Sequence, residues 1–75
     1  MWNKKQGYIG GMNVGHYYEI TEDECKETCL QNADCKSVEY GVYVKTCYMN
    51  SVTSTERPDR FYSSNTDHYW EKMFQ

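Results

Sequence analysis

The sequence predicts a small α+β fold, one helix packed on antiparallel strands and stabilised by disulfides. Three observations point there. The chain has 75 residues, a length at which a domain buries only about 60% of the surface its unfolded chain exposes and usually needs a restraint beyond its core. It carries four cysteines, and its aliphatic side chains are scarce, with Leu30 the only leucine and Ile9 and Ile20 the only isoleucines. Finally, a helix start signal stands ahead of several segments with strand composition.

The elements follow in chain order. Gly7, Gly10, Gly11 and Gly15 alternate with Tyr8, Ile9, Met12 and Val14, a pattern of one or two strands broken by turns or bulges. Thr21-Glu22-Asp23-Glu24 has the spacing of a capping box, with Thr21 as N-cap and Glu24 reaching back to it. Ile20 and Cys25 are placed to form the accompanying hydrophobic staple, and three acidic residues suit the positive end of the helix dipole. The helix is expected to run to about Gln31, with Asn32 taking a left-handed C-cap conformation. Cys35 to Tyr40 reads as a strand, Gly41 to Val44 as a hairpin region, and Thr46 to Met49 as the returning strand. Residues 50–60 form a polar loop around Pro58, and His68 to Met73 has the residues of a closing strand.

Cys25 and Cys29 are four apart and project from one face of the helix. Of the three pairings that four cysteines permit, Cys25 with Cys29 is disfavoured because the helix holds these side chains parallel. The other two both tie the helix to the sheet. The nested one, Cys25–Cys47 around Cys29–Cys35, is preferred because its inner bond simply folds the helix end back onto the next strand. Zinc is the competing chemistry, but structural zinc sites bring two close ligand pairs, and only the first pair here is compact. No C-x-x-C supports redox catalysis. No metal and no cofactor is expected.

The run Thr21-Glu-Asp-Glu-Cys25-Lys-Glu-Thr-Cys29-Leu30, then Asn32-Ala-Asp-Cys35-Lys-Ser-Val-Glu-Tyr40 and Lys45-Thr-Cys47-Tyr-Met49, is similar to the core of the PAN/apple family. The closing His68-Tyr-Trp-Glu-Lys72 resembles the aromatic-Glu-Lys end of many members. Residues 20–50 carry the specific part of the match, and residues 1–75 are read as one PAN/apple-like domain. The resemblance implies a helix cradled by a curved antiparallel sheet, with Cys25 paired to Cys47 and Cys29 to Cys35. Apple domains typically add a third bridge joining the chain ends; this sequence lacks it and resembles the shorter, two-disulfide PAN form. The resemblance also implies binding to a protein or a carbohydrate.

Composition narrows the function further. The net charge of −3 is spread without a basic stripe, which argues against nucleic acid. No stretch approaches the roughly 20 apolar residues of a membrane span, and no signal region precedes the fold. Cysteine-dense small domains belong to oxidising compartments, so a secreted, extracellular location is expected, either as a whole protein or as a module of a larger one. No local arrangement joins nucleophile, base and orienting group, so no catalytic residue is named and the chain is not read as an enzyme; His16 and His68 read as ordinary strand residues. Eight Tyr, two Trp and two Phe put an aromatic core at Val38, Tyr40, Tyr48, Tyr69 and Trp70, and leave some rings for the surface. Tyr43 with Lys45, and Arg60 with Tyr62, combine an aromatic platform with charge and are the candidate ligand contacts, set against their reading as packed loop anchors. The function expected is an extracellular recognition or adhesion module for a protein or glycan. The alternatives are a stand-alone secreted effector, inhibitor or toxin-like, and a Tyr-rich structural or adhesive matrix protein.

Overall fold

The computed structural model describes residues 2–11 and 13–73; Met12, one of the residues expected to alternate with the glycines, lies outside them. Five strands, β1 (Trp2–Ile9), β2 (Asn13–Tyr18), β3 (Ser37–Gly41), β4 (Thr46–Asn50) and β5 (Phe61–Lys72), form one antiparallel sheet in the order β1-β5-β3-β4-β2. Among the described residues one α-helix, α1 (Glu22–Leu30), packs on β3 and β4. It starts where the capping box places it: Glu24 N–H donates to Thr21 Oγ1 at 3.1 Å, and Thr21 N–H donates to Glu24 Oε1 at 2.9 Å.

Two sequence expectations are corrected. The helix ends one residue early, and its C-cap, Gln31, is right-handed with φ −84°. Asn32 does not take the left-handed conformation. Its side chain serves the following turn instead, accepting the Asp34 N–H at 3.0 Å while its carbonyl accepts the Cys35 N–H. That turn brings Cys35 back under the helix. The closing strand is also far longer than His68 to Met73. It begins at Phe61, where Ile9, Tyr8 and Gly7 pair with Phe61, Tyr62 and Ser63, and the register then jumps to Gln6 opposite His68. The polar residues between Ser63 and His68 form a bulge held by Ser64, whose Oγ accepts the Thr66 N–H at 3.2 Å and donates to Asp67 at 3.0 Å, and by the Thr66 carbonyl, which accepts the Val42 N–H. Gly7 is required at the jump, because a Cβ there would lie 2.3 Å from the Tyr62 carbonyl oxygen.

Strand alternation gives β3 two buried faces. Towards the helix it sends Val38 and Tyr40, which meet Cys25, Cys29, Cys35, Cys47 and Met49, with Trp2, Ile20, Val42 and Trp70 packed around them. Four of these seven buried residues are cysteines, joined as Cys25–Cys47 and Cys29–Cys35. Tyr48, expected in the core, is only half-buried, on the face of β4 away from the helix and beside the exposed His16 of the edge strand.

That second face is polar. Ser37, Glu39, Asn50, Tyr69 and Glu71 are all buried on it beside Ile9. Glu39 Oε2 accepts the Ile9 N–H at 2.8 Å and the Asn50 amide at 3.1 Å, so one carboxyl links β1, β3 and β4. Burial pushes its pKa up from 4.5 to about 7; the bonds from Ile9 and Asn50 offset part of this and Asp67 adds to it.

Two predictions follow from this packing. Loop-closure entropy for the two bonds, whose ends are 22 and 6 residues apart, corresponds to about 3 and about 2 kcal/mol. Replacing Cys25 and Cys47 together by Ala should therefore lower the urea-unfolding free energy more than replacing Cys29 and Cys35. Glu39 binds its proton more tightly folded than unfolded, so its contribution to stability is fully present below pH 4.5 and is lost as pH rises through about 7. The size of that loss is on the order of 3 kcal/mol. Glu39→Gln keeps the acceptor and removes the titration. Its melts should lack this slope and exceed the parent's stability at pH 8.

Candidate functional site

Among the described residues, two surface recesses bear on function. The larger, about 640 Å³, lies between the 51–57 loop and the ends of β1, β3 and β5, and is lined by Asn3, Lys36, Thr53, Thr55, Glu56, Glu71, Lys72 and Met73. The smaller, about 250 Å³, lies at the β3–β4 turn between Tyr43, Val44, Gly41, Thr66 and Asp67.

The loop wall of the larger groove is built from a second copy of the helix-start pattern. In Thr53-Ser54-Thr55-Glu56, Thr53 N–H donates to Glu56 Oε1 at 3.0 Å and Glu56 N–H to Thr53 Oγ1 at 3.2 Å, closing a single turn. Glu56 also holds Lys36 at 2.9 Å. Beneath this turn Glu71 collects four donors: the Ser54 hydroxyl at 2.6 Å, the Tyr69 hydroxyl at 2.9 Å, the Ser54 N–H at 3.2 Å and the Thr55 hydroxyl at 3.2 Å. Burial pushes the Glu71 carboxyl up, but the bonds from Ser54, Tyr69 and Thr55 and the charge of Lys5 outweigh it, and its pKa falls below the usual value. Tyr69, buried and donating to Glu71, is pushed up to about 12. A carboxylate so engaged is a fastener for the loop: Oε1 takes three of the four donors and Oε2 takes the Thr55 hydroxyl.

The other carboxylate cluster is also an anchor. Glu22 in the first turn of α1 accepts from Trp70 Nε1 and from His68 Nδ1, the latter at 3.0 Å. Lys26 lies 4.0 Å from the Trp70 ring centre, close enough for a cation–π contact. His68 thus fixes the helix onto β5. His16 sits on β2, edge-on to Tyr18 at 5.2 Å.

The structure separates the four residues named from sequence. Tyr43 and Lys45 share the β3–β4 turn, where Tyr43 is 81% exposed. That exposure rules out a packed anchor. Lys45 has φ +54° and donates its N–H to the Gly41 carbonyl at 2.8 Å. Tyr62 stacks on Tyr8 with ring centres 5.4 Å apart, across the β1–β5 pair, and the Arg60 carbonyl accepts the Gly10 N–H. Among the described residues no hydrogen bond or ring contact joins the Tyr43 pair to the Arg60 pair. The groove at Lys36 and Glu56 was not found from sequence; the Thr53-x-x-Glu56 spacing was the signal available.

The sequence pattern that defines the PAN domain matches residues 3–73. Comparison with curated proteins and with solved structures gives no match.

Glu71→Ala should leave the Ser54, Thr55 and Tyr69 hydroxyls without their acceptor, at a cost of about 2 to 4 kcal/mol, while the Ser54 N–H keeps the Tyr69 oxygen at 2.7 Å. Limited proteolysis should then cut first within residues 51–57, while the parent is cut there slowly.

Proposed function

Because this chain belongs to the PAN domain family, non-catalytic modules that bind proteins or carbohydrates, we propose that it is an extracellular recognition module. The observation that carries this reading is the family match, which spans residues 3–73. The cysteine content supports a secreted location, since disulfides persist in oxidising compartments. The proposed binding surface is the β3–β4 turn, and the proposed ligand is a glycan.

Sugar recognition needs a flat ring for the apolar face of a pyranose and polar groups for its hydroxyls. Tyr43 is 81% exposed and shares its recess with Thr66 and Asp67, which supports that reading. Lys45 stands at the end of the same turn in a left-handed conformation. A non-glycine residue there costs on the order of 1 kcal/mol, and such strain is commonly kept where a side chain serves a function. Arg60 and Tyr62 are proposed as a secondary contact, less free because Tyr62 is engaged with Tyr8.

The test is a glycan array probed with the oxidised protein, multimerised to raise weak avidity, beside a reduced and alkylated control. Binding is expected from the oxidised form alone. Tyr43→Ala should weaken a hit by tenfold or more. Lys45→Gly separates stability from recognition: it should raise the melting temperature slightly, by relieving the left-handed strain, and lower affinity. A hit unaffected by both variants would move the site to the Lys36–Glu56 groove. An array without hits, followed by capture of a protein from the native tissue, would replace the glycan with a protein partner.

A further inference from the structure

The two edges of the sheet are not alike. Strand β1 carries Lys4 and Lys5 and a register break between Gln6 and Gly7, features that discourage a second strand from pairing. Strand β2, Asn13-Val14-Gly15-His16-Tyr17-Tyr18, has no charged residue and no proline, and no residue of it is buried. Among the described residues it pairs only with β4. Its one irregularity falls between Asn13 and Gly15, leaving Gly15 to Tyr18 in plain register opposite Met49 to Thr46. A run of backbone N–H and C=O groups beside exposed aromatic rings therefore faces outward, and the usual protections are absent.

We infer that β2 is the docking edge for a second copy of this chain, paired antiparallel across a two-fold axis through His16. In that register the strand complements itself. Opposed residues of an antiparallel pair share a face, so each Tyr17 lies over the other copy's Gly15, against the flexible Met49 methyl that stands 3.0 Å from where a Cβ would be. Tyr17 is 43% exposed and Tyr18 63%. The same pairing extends the His16, Tyr18 and Tyr48 cluster into one aromatic surface across both copies. No Asp, Glu, Lys or Arg stands on either strand to oppose its twin. The contact is small: two half-exposed rings of about 150 to 250 Å² each, plus backbone, bring the total below the roughly 1,000 Å² of a stable interface. A weak, concentration-dependent dimer follows, and β1, blunted as it is, stops it from growing into a filament.

Sedimentation of the oxidised protein tests this, with ¹⁵N amide spectra recorded over the same range. Between roughly 10 μM and 1 mM the mass should rise from one copy towards two, as a high-micromolar dissociation constant requires. The amides of Gly15 to Tyr18 should shift with concentration and those of β1 should not. Tyr17→Lys gives β2 the protection β1 has, and should raise the dissociation constant at least tenfold; Tyr43→Lys, on the exposed turn, should leave it unchanged. A melting temperature close to the parent's shows that the Tyr17 variant folds, and His16→Lys repeats the test at the axis. A single copy at 1 mM, shifts centred on β1, or β2 amides that respond only to an unrelated extended peptide would each overturn the inference.

Discussion

The Cys25–Cys47 bond is the constraint on which the rest of the structure depends. The chain has one leucine and two isoleucines, and α1 offers the sheet little besides sulfur: Cys25 and Cys29 are its only buried residues. A helix of nine residues is too short to persist alone in water. It holds because one bond fixes its first turns to β4 and the other turns the chain beyond it back to the start of β3. Tyr40 then closes the gap to the incoming strand, its hydroxyl donating to the Ile20 carbonyl at 2.6 Å. The disulfides thus define the helix-side core as well as restraining the unfolded chain.

The opposite face is covered by different means. There the chain lays the 51–57 loop over the sheet and fastens it through carboxylates. Such a network is worth having only when every member is satisfied, because a buried polar group without a partner costs more than a hydrogen bond returns. Glu71 meets that condition with four donors. Glu39 meets it less well: two donors do not offset its burial, and its pKa rises. Two carboxylates on one face therefore differ in how they respond to pH: burial outweighs the two donors at Glu39, with Asp67 adding to it, whereas the donors and the charge of Lys5 outweigh burial at Glu71.

How much of this was legible in the sequence depended on the range of the interactions. The capping box at Thr21, the β3–β4 hairpin and the helical spacing of Cys25 and Cys29 are local patterns, and all three stand in the structure. The first half of β5 was not legible. Ser63 to Thr66 have turn composition, and only the remote partners Gly7 to Ile9 make a strand of what precedes them. Tyr43 could be singled out because a ring on a turn has little to pack against. The Lys36–Glu56 groove could not, since its walls come from both ends and the middle of the chain. The Asn32 cap failed for a physical reason: the short Cys29–Cys35 loop needs the Asn32 side chain for its own turn.

These constraints also limit which surfaces can change without disturbing the fold. Both faces of β3 are buried, and the carboxylates beneath the loop have their oxygens occupied by the fold, so changing any of them disturbs packing first. The β3–β4 turn and the outer edge of β2, the two surfaces proposed above, are among the parts that remain free to vary. They are linked, since β4 runs from that turn to become the partner of β2, and Ile20, just beyond β2, donates its N–H to the Lys45 carbonyl. Two proposed weak contacts, a single ring for a glycan and a short strand for a second copy, gain from being joined. A dimer presents two Tyr43 turns on one rigid sheet, and binding the second becomes an intramolecular event with a high effective concentration. A 75-residue chain with too little core for a deep pocket can in this way reach useful affinity from shallow sites.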